Sequence, residues 1–355
     1  MSAGVAKRCK MGLLSLVGVS LLVKKRGFRI PFIFFVSTCI LLMWNPHEAK
    51  SSETVSASHT NLTRNEKVVM NTSEVWYYIP SSSRKIFSAF YQQLTNKLPQ
   101  ISILPITLNE ARRCDFINKK AHFITSGVNA LKAISNCPVS TPVFAFYLTE
   151  SQYQQVNINN NTVLKNANKF FVDQPLIHQL ALASQFLPQK RRVGILYSPS
   201  TRTQVKQLKN IFPDQLKLVA KEVNQSKKLI KTLVDLLKTT DYIIAPLDNS
   251  LFNARTAKTI LLTSYRHQKP LFGNSRGFVK AGIIASCYST PEILINQLVE
   301  KIASSPDISG ETFYPDDFEV IQNVEVASSL NLAEFKDDAL KKSIKKTLKS
   351  WSEKK

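Results

Sequence analysis

From Val75 onward, short apolar runs alternate with stretches whose apolar residues recur at helical spacing. Residues 75–79, 101–104, 122–125 and 142–147 read as strands, and 84–98, 108–113 and 128–135 as the helices between them. Tyr242-Ile243-Ile244-Ala245 is apolar at every position, which suits a strand covered on both faces. Strand and helix taking turns predict a parallel sheet with helices on both sides. The polar run Asn157-Ile158-Asn159-Asn160-Asn161 breaks the rhythm, and a second series begins with a strand at 169–172. It continues with a helix to Leu187, a strand at 193–197, a helix at 203–211, a strand at 216–223 and a helix at 226–237.

Residues 241–289 then repeat one unit twice: an apolar strand, a small polar turn, a helix start. Pro246 ends the first strand, Leu247-Asp248-Asn249-Ser250 forms its turn, and a helix is expected over 251–265. Pro270-Leu271-Phe272-Gly273 closes the second strand before the turn Asn274-Ser275. A helix at 294–302, a strand at 318–321 and a basic amphipathic helix over 334–355 complete the series. Leu340, Ile344, Leu348 and Trp351 share one side of that last helix, a face that either packs on its own domain or lies on an anionic membrane.

Ahead of the alternating region, Lys24, Lys25, Arg26 and Arg29 precede an apolar core at 30–44, the pattern of an export signal with a cleavage site near Ala49. An uncleaved anchor is the alternative, although the core is shorter than the ~20 residues that span a bilayer. Met11 is another candidate start, since a further apolar stretch runs over 11–23. Residues 50–73 are rich in Ser, Thr, Asn and Glu and read as a linker. The net charge is +22; residues 1–49 carry seven basic side chains against one acidic, so +16 remains without them. Such a balance favours anionic partners, yet the lysines are dispersed along helices and no nucleic-acid motif is present, so the surface reads as solvated. Of five cysteines, Cys9 and Cys39 precede residue 50. Cys114, Cys137 and Cys287 lack metal-ligand spacing and are expected to be buried thiols, with Cys114 and Cys137 the nearest pair should an oxidising compartment permit a bridge.

Candidate chemistry lies at the carboxyl ends of strands, where open α/β sheets bind ligands. In the second series these are Ser198, Ser200 and Thr201, then Asp248 and Asn249, then Asn274 and Ser275; Gly273 would let backbone approach a ligand. In the first series they are Ser81, Ser126 and Thr149, with Phe146 or Tyr147 able to stack on a ligand. Each turn reads equally as a helix cap. Five histidines form no catalytic or metal pattern, and ten glycines build no phosphate loop, so neither an enzyme nor a cofactor is expected.

The run Arg192-Val193-Gly194-Ile195-Leu196-Tyr197-Ser198-Pro199-Ser200 resembles the strand and turn that open the second lobe of bacterial ABC-transporter substrate-binding proteins of the tryptophan-binding-protein-like family. Asp241 to Ser250, Pro270 to Ser275, Gly277 to Ser286 and Phe318 to Asn323 resemble its later signatures. The resemblance covers about 169–332, while the turn at Thr149-Glu150 departs from the family pattern. It implies an α/β type I periplasmic-binding-protein fold: two Rossmann-like, doubly wound lobes joined by crossover strands. Lobe I would hold 74–168 with about 281–317, and lobe II 169–280 with about 318–355. It further implies an exported protein that passes a small molecule, an amino acid or related carboxylate, to an inner-membrane permease and ATPase; a sensor serving a membrane receptor is the alternative. Carried over, Ser198, Ser200 and Thr201 would hold a carboxylate, Asp248 an ammonium, and Asn249 and Asn274 would orient the ligand. Membrane-surface contact through the leader or the basic tail is a further expectation.

Overall fold

The computed structural model describes residues 75–116, 121–156, 161–273 and 275–353; the expected leader, the linker and most of the polar run at 157–161 lie outside them. Two six-stranded sheets carry the fold. One sheet holds β1 (Val75–Pro80), β2 (Ser102–Pro105), β3 (His122–Ser126), β4 (Val143–Leu148) and β5 (Asn168–Phe171). The other holds β6 (Arg192–Tyr197), β7 (Lys217–Glu222), β8 (Tyr242–Ala245), β9 (Leu271–Gly273) and β10 (Ala285–Tyr288). Late in the chain, β11 (Thr312–Phe313) joins the first sheet and β12 (Glu319–Gln322) the second. The orders are β11-β5-β4-β3-β1-β2 and β12-β10-β9-β8-β6-β7, parallel except for the β10–β12 pair.

Alternation of side chains explains the fully apolar strands. Trp76 and Tyr78 enter one buried cluster while Tyr77 and Ile79 enter the cluster on the opposite face. In β8, Tyr242 and Ile244 face one cluster and Ile243 and Ala245 the other. Both sheets are therefore covered on two sides, as expected. The helix Lys85–Lys97 buries Phe87, Phe90 and Leu94 at helical spacing. Leu294, Ile295, Leu298 and Ile302 of the helix Pro291–Ser304 enter the same cluster.

The chain crosses between lobes three times: at 172–175, at 289–290 and at 314–318. The lobe boundaries thus differ from the expected ones. Lys169–Phe171 remain in the first sheet through pairing of β5 with β4, and Ala285–Tyr288 stay in the second through pairing of β10 with β9 and β12. Backbone pairing decides membership, and no local composition marks it.

Four further local differences have physical causes. The helix expected from residue 251 is Ala257–Arg266. Before it, the Asn253 side chain accepts from the Arg255 and Thr256 amides, and Thr256 Oγ1 donates to the Leu251 carbonyl, so side chains take bonds a helix would need. Cys114 and Cys137 form a disulfide with Cα atoms 5.5 Å apart, against the expected thiols; Cys287 is a buried free thiol. β11 escapes a pattern reading because it is two residues long. The last helix, Asp337–Ser352, buries Leu340 and Ile344 completely in the second-lobe core. Ser343 Oγ donates to Gln185 and Gln185 Nε2 to Thr347, fastening it to the helix Leu176–Phe186. Its apolar face packs on its own domain, the first of the two readings that the sequence left open for it. No helix among the described residues is long and apolar enough to cross a membrane.

Candidate functional site

The carboxyl ends of β1, β3 and β4 in one lobe, and of β8, β9 and β10 in the other, border two adjoining cavities. The first, about 360 Å³, is lined by residues that include Ser81, Arg84, Phe87, Gly127, Tyr147 and Gln152. The second, about 270 Å³, is lined by residues that include Gln174, Leu247, Ser275, Arg276, Tyr288 and Ser289. Tyr147 and Val172 belong to both walls, so the cavities form one cleft between the lobes.

Tyr147 sits where the register of β4 against β5 shifts, with φ of 57°. A tyrosine in left-handed backbone costs on the order of 1 kcal/mol or more and persists only where its surroundings hold it. Phe87 and Phe90 do so, meeting its ring edge-on with centroids 6.1 and 4.8 Å away. Burial pushes its hydroxyl pKa up. Beside it, Gly127 has φ of 89°, and a Cβ there would lie 2.5 Å from Ser81 Oγ. Glycine lets the β3 turn abut the β1 turn, where Ser81 Oγ accepts from the Ala130 amide at 3.2 Å. Across the cleft, the Arg276 guanidinium lies 5.1 Å from the centre of the Tyr288 ring.

The expected site residues divide. Ser81 and Ser275 line the cleft, with Ser275 Oγ also capping the helix Arg276–Ala281. Asn274 lies outside the described residues. Ser198, Ser200, Thr201, Asp248, Asn249, Ser126 and Thr149 line neither cavity. Asp248 is fully buried, and its carboxylate accepts from the Ser198 amide (3.0 Å), Thr201 Oγ1 (2.8 Å), the Ser250 amide (3.0 Å) and Ser250 Oγ (2.6 Å). Four donors occupy both oxygens, so Asp248 ties the β6 turn to the β8 turn and is not a free partner for an ammonium. Ser198, Ser200 and Thr201 spend their hydroxyls within the same knot, where Ser198 Oγ and Ser200 Oγ are 2.7 Å apart. Asn249 is exposed, and its carbonyl accepts from Asn253 Nδ2. Thr149 and Gln152 form a capping box, and Ser126 is buried beneath the β1 turn, where its carbonyl accepts from the Ser81 amide. At Gly273 a Cβ would lie 2.8 Å from the Ala245 carbonyl, so the close approach there is to the neighbouring strand.

Sequence reading missed Arg84, Arg276, Tyr288 and Gln174. Arg84 and Arg276 each follow a serine turn that was singled out, so a basic residue beside those serines was the available signal. Gln174 joins all three crossovers. Its Nε2 donates to Ser289 Oγ and to the Asp317 carbonyl, both at 2.9 Å, while Ser289 Oγ donates to the Val172 carbonyl. Its Oε1 lies 2.7 Å from His178 Nδ1, and burial holds that imidazole down at about 4.

A carboxyl pair is buried beside this hinge. Asp173 accepts from the Glu150 amide at 2.8 Å and from Gln204 Nε2, of the other lobe, at 3.0 Å. Tyr314, on the third crossover, donates to Glu150 Oε2 at 2.9 Å. Burial pushes Asp173 up to about 7, helped by the nearby Glu150 charge and opposed by its hydrogen bonds; burial also raises Glu150. Among the described residues no group of His, Cys, Asp and Glu could hold a metal ion.

Residues 172–293 match the family model described as ABC transporter substrate binding protein. A ligand-free, open substrate-binding protein with adhesive properties from Clostridium difficile is 16% identical with TM-score 0.54, covering 74% of this chain and 97% of its own. An ABC domain from Streptococcus pneumonia in complex with L-Trp is 16% identical with TM-score 0.43, covering 74% and 96%. A conserved domain protein from Vibrio cholerae is 15% identical with TM-score 0.48, covering 76% and 97%. No curated protein matches the chain. The likeness to the Clostridium difficile protein shows the fold, two α/β lobes of the type I periplasmic-binding kind, and the resemblance to the family model is confined to residues 172–293. The matched stretch carries the second-lobe wall of the cleft and two of the three crossovers.

Proposed function

We propose that the protein is exported, captures a small solute between its lobes and delivers it to an inner-membrane permease and its ATPase. The carrying observation is the cleft itself, whose walls come from strand ends of both sheets and meet at Tyr147 and Val172. A solute touching both walls stabilises a closed arrangement over an open one by the difference in its contacts, and the transporter reads that closure. Gln174 binds the three crossovers into one hinge, so the lobes turn as bodies. The Cys114–Cys137 bridge supports residence in an oxidising compartment, the periplasm, with a cleaved leader. The solute is an amino acid or a related carboxylate, grasped without being transformed, as no catalytic set faces the cleft among the described residues. Ser81 and Ser275 contribute polar contacts from opposite walls. Isothermal titration with amino acids and small metabolites tests this: saturable heat from one class is expected, and none from any compound refutes it.

A further inference from the structure

We infer that the solute is an aromatic carboxylate that carries no ammonium group. This rests on the interlobe cleft being the solute site, and it narrows the chemistry that the site accepts. Among the described residues, the two walls include Arg84 from the first lobe and Arg276 from the second, and no Asp or Glu. Three acids on the adjoining turns and the first crossover are held within the protein. Asp248 takes four donors within the turn knot. Asp173, between wall residues Val172 and Gln174, is buried against the Glu150 amide and Gln204. Glu150 is buried and accepts from Tyr314.

An ammonium moved from water into either part of this cleft would lose hydration and find a guanidinium, and no described carboxylate, in the wall beside it. A carboxylate gains where the ammonium loses, because a guanidinium offers paired donors to its two oxygens. Neither arginine forms an ion pair with another described residue, and Arg276 is held against the Tyr288 ring. The rest of the solute is read from the walls. Phe87, Tyr147 and Tyr288 present three rings, and Leu247, Val172 and Leu294 add apolar surface, a lining that takes a flat apolar body. Tyr147, common to both cavities and held in left-handed backbone, is the ring placed to touch it whichever wall engages first.

Matched compounds separate the groups. Isothermal titration of the full chain compares 3-phenylpropionate, L-phenylalanine and 2-phenylethylamine, and in parallel indole-3-propionate, L-tryptophan and tryptamine. In at least one series the propionate is expected to bind at least ten-fold more tightly than its amino acid, and the amine not at all. Arg276→Gln and Arg84→Gln are each expected to weaken the propionate about ten-fold at unchanged melting temperature, with Arg276→Lys recovering less than wild type. An amino acid that binds more tightly than its propionate overturns the inference. So does a neutral solute such as a hexose that binds while both propionates fail; either result leaves the cleft standing as the solute site. Silence from these six and from the wider metabolite panel removes both readings.

Discussion

Replacing Asp173 with asparagine isolates the buried hinge carboxyl. Asp173 has no exposed surface, and in the folded protein its pKa rises from 3.8 to about 7, chiefly because burial disfavours the charge. A carboxyl that binds its proton more tightly when folded makes the folded state the greater proton binder between those two values. Stability therefore falls as pH rises from about 4 to 7, and the full penalty persists above 7. At about 1.4 kcal/mol per pH unit, the span corresponds to about 4 kcal/mol. Asparagine removes the ionisation but turns an amide NH2 toward one of two donors, the Glu150 amide or Gln204 Nε2, at about 1–3 kcal/mol. Asp173→Asn is then expected to be less stable than wild type at pH 4.5 and more stable at pH 8. His178, buried as the neutral imidazole, acts with the opposite sign, adding stability as pH rises from about 4 to 6.5. Because both proteins share His178, it cancels in their difference. Urea unfolding of wild type and variant at pH 4.5, 6 and 8 measures that difference. Parallel stability profiles would refute the assignment of a strongly raised Asp173.

Asp248→Ala is expected to lower stability by about 3–5 kcal/mol in urea unfolding, because it strands buried donors on Ser198 and Thr201. A loss below 1 kcal/mol would mean that the carboxylate does not hold the two turns together. Cys137→Ser opens a bridge with sequence separation 23, and loop entropy sets the loss at about 3 kcal/mol, read from the denaturation midpoint. Ile344→Ala, at a fully buried position of the last helix, is expected to cost about 2–4 kcal/mol; a neutral result would mean that the helix is not docked on the second lobe.

Much of the fold was legible because burial on both faces leaves a plain mark. β1 and β8 are apolar at successive positions, and the strand-and-helix alternation around them follows from covering such strands. The second lobe was legible in finer detail, since the turns after β6, β8 and β9 have distinctive local sequences. The site was less so. A small polar residue at a strand end looks the same whether it faces a solute or caps a helix, and Ser198, Thr201 and Asp248 proved to bind one another. Polar residue type reports a capacity for hydrogen bonding and says nothing of which partner takes it up.

By itself, the sequence determined the α/β alternation, the double-sided burial of the central strands and the likeness of 192–286 to ABC-transporter substrate-binding proteins, all of which are written in neighbouring residues. The tertiary structure alone decided the crossovers, the Cys114–Cys137 bridge, the docking of the last helix and which groups line the cleft. Gln174 reaches Ser289 and Asp317 across separations of 115 and 143 residues, and Asp248 reaches Ser198 across 50. Those partners meet only once the sheets and crossovers are assembled, since a bond between distant residues depends on the whole path of the chain between them.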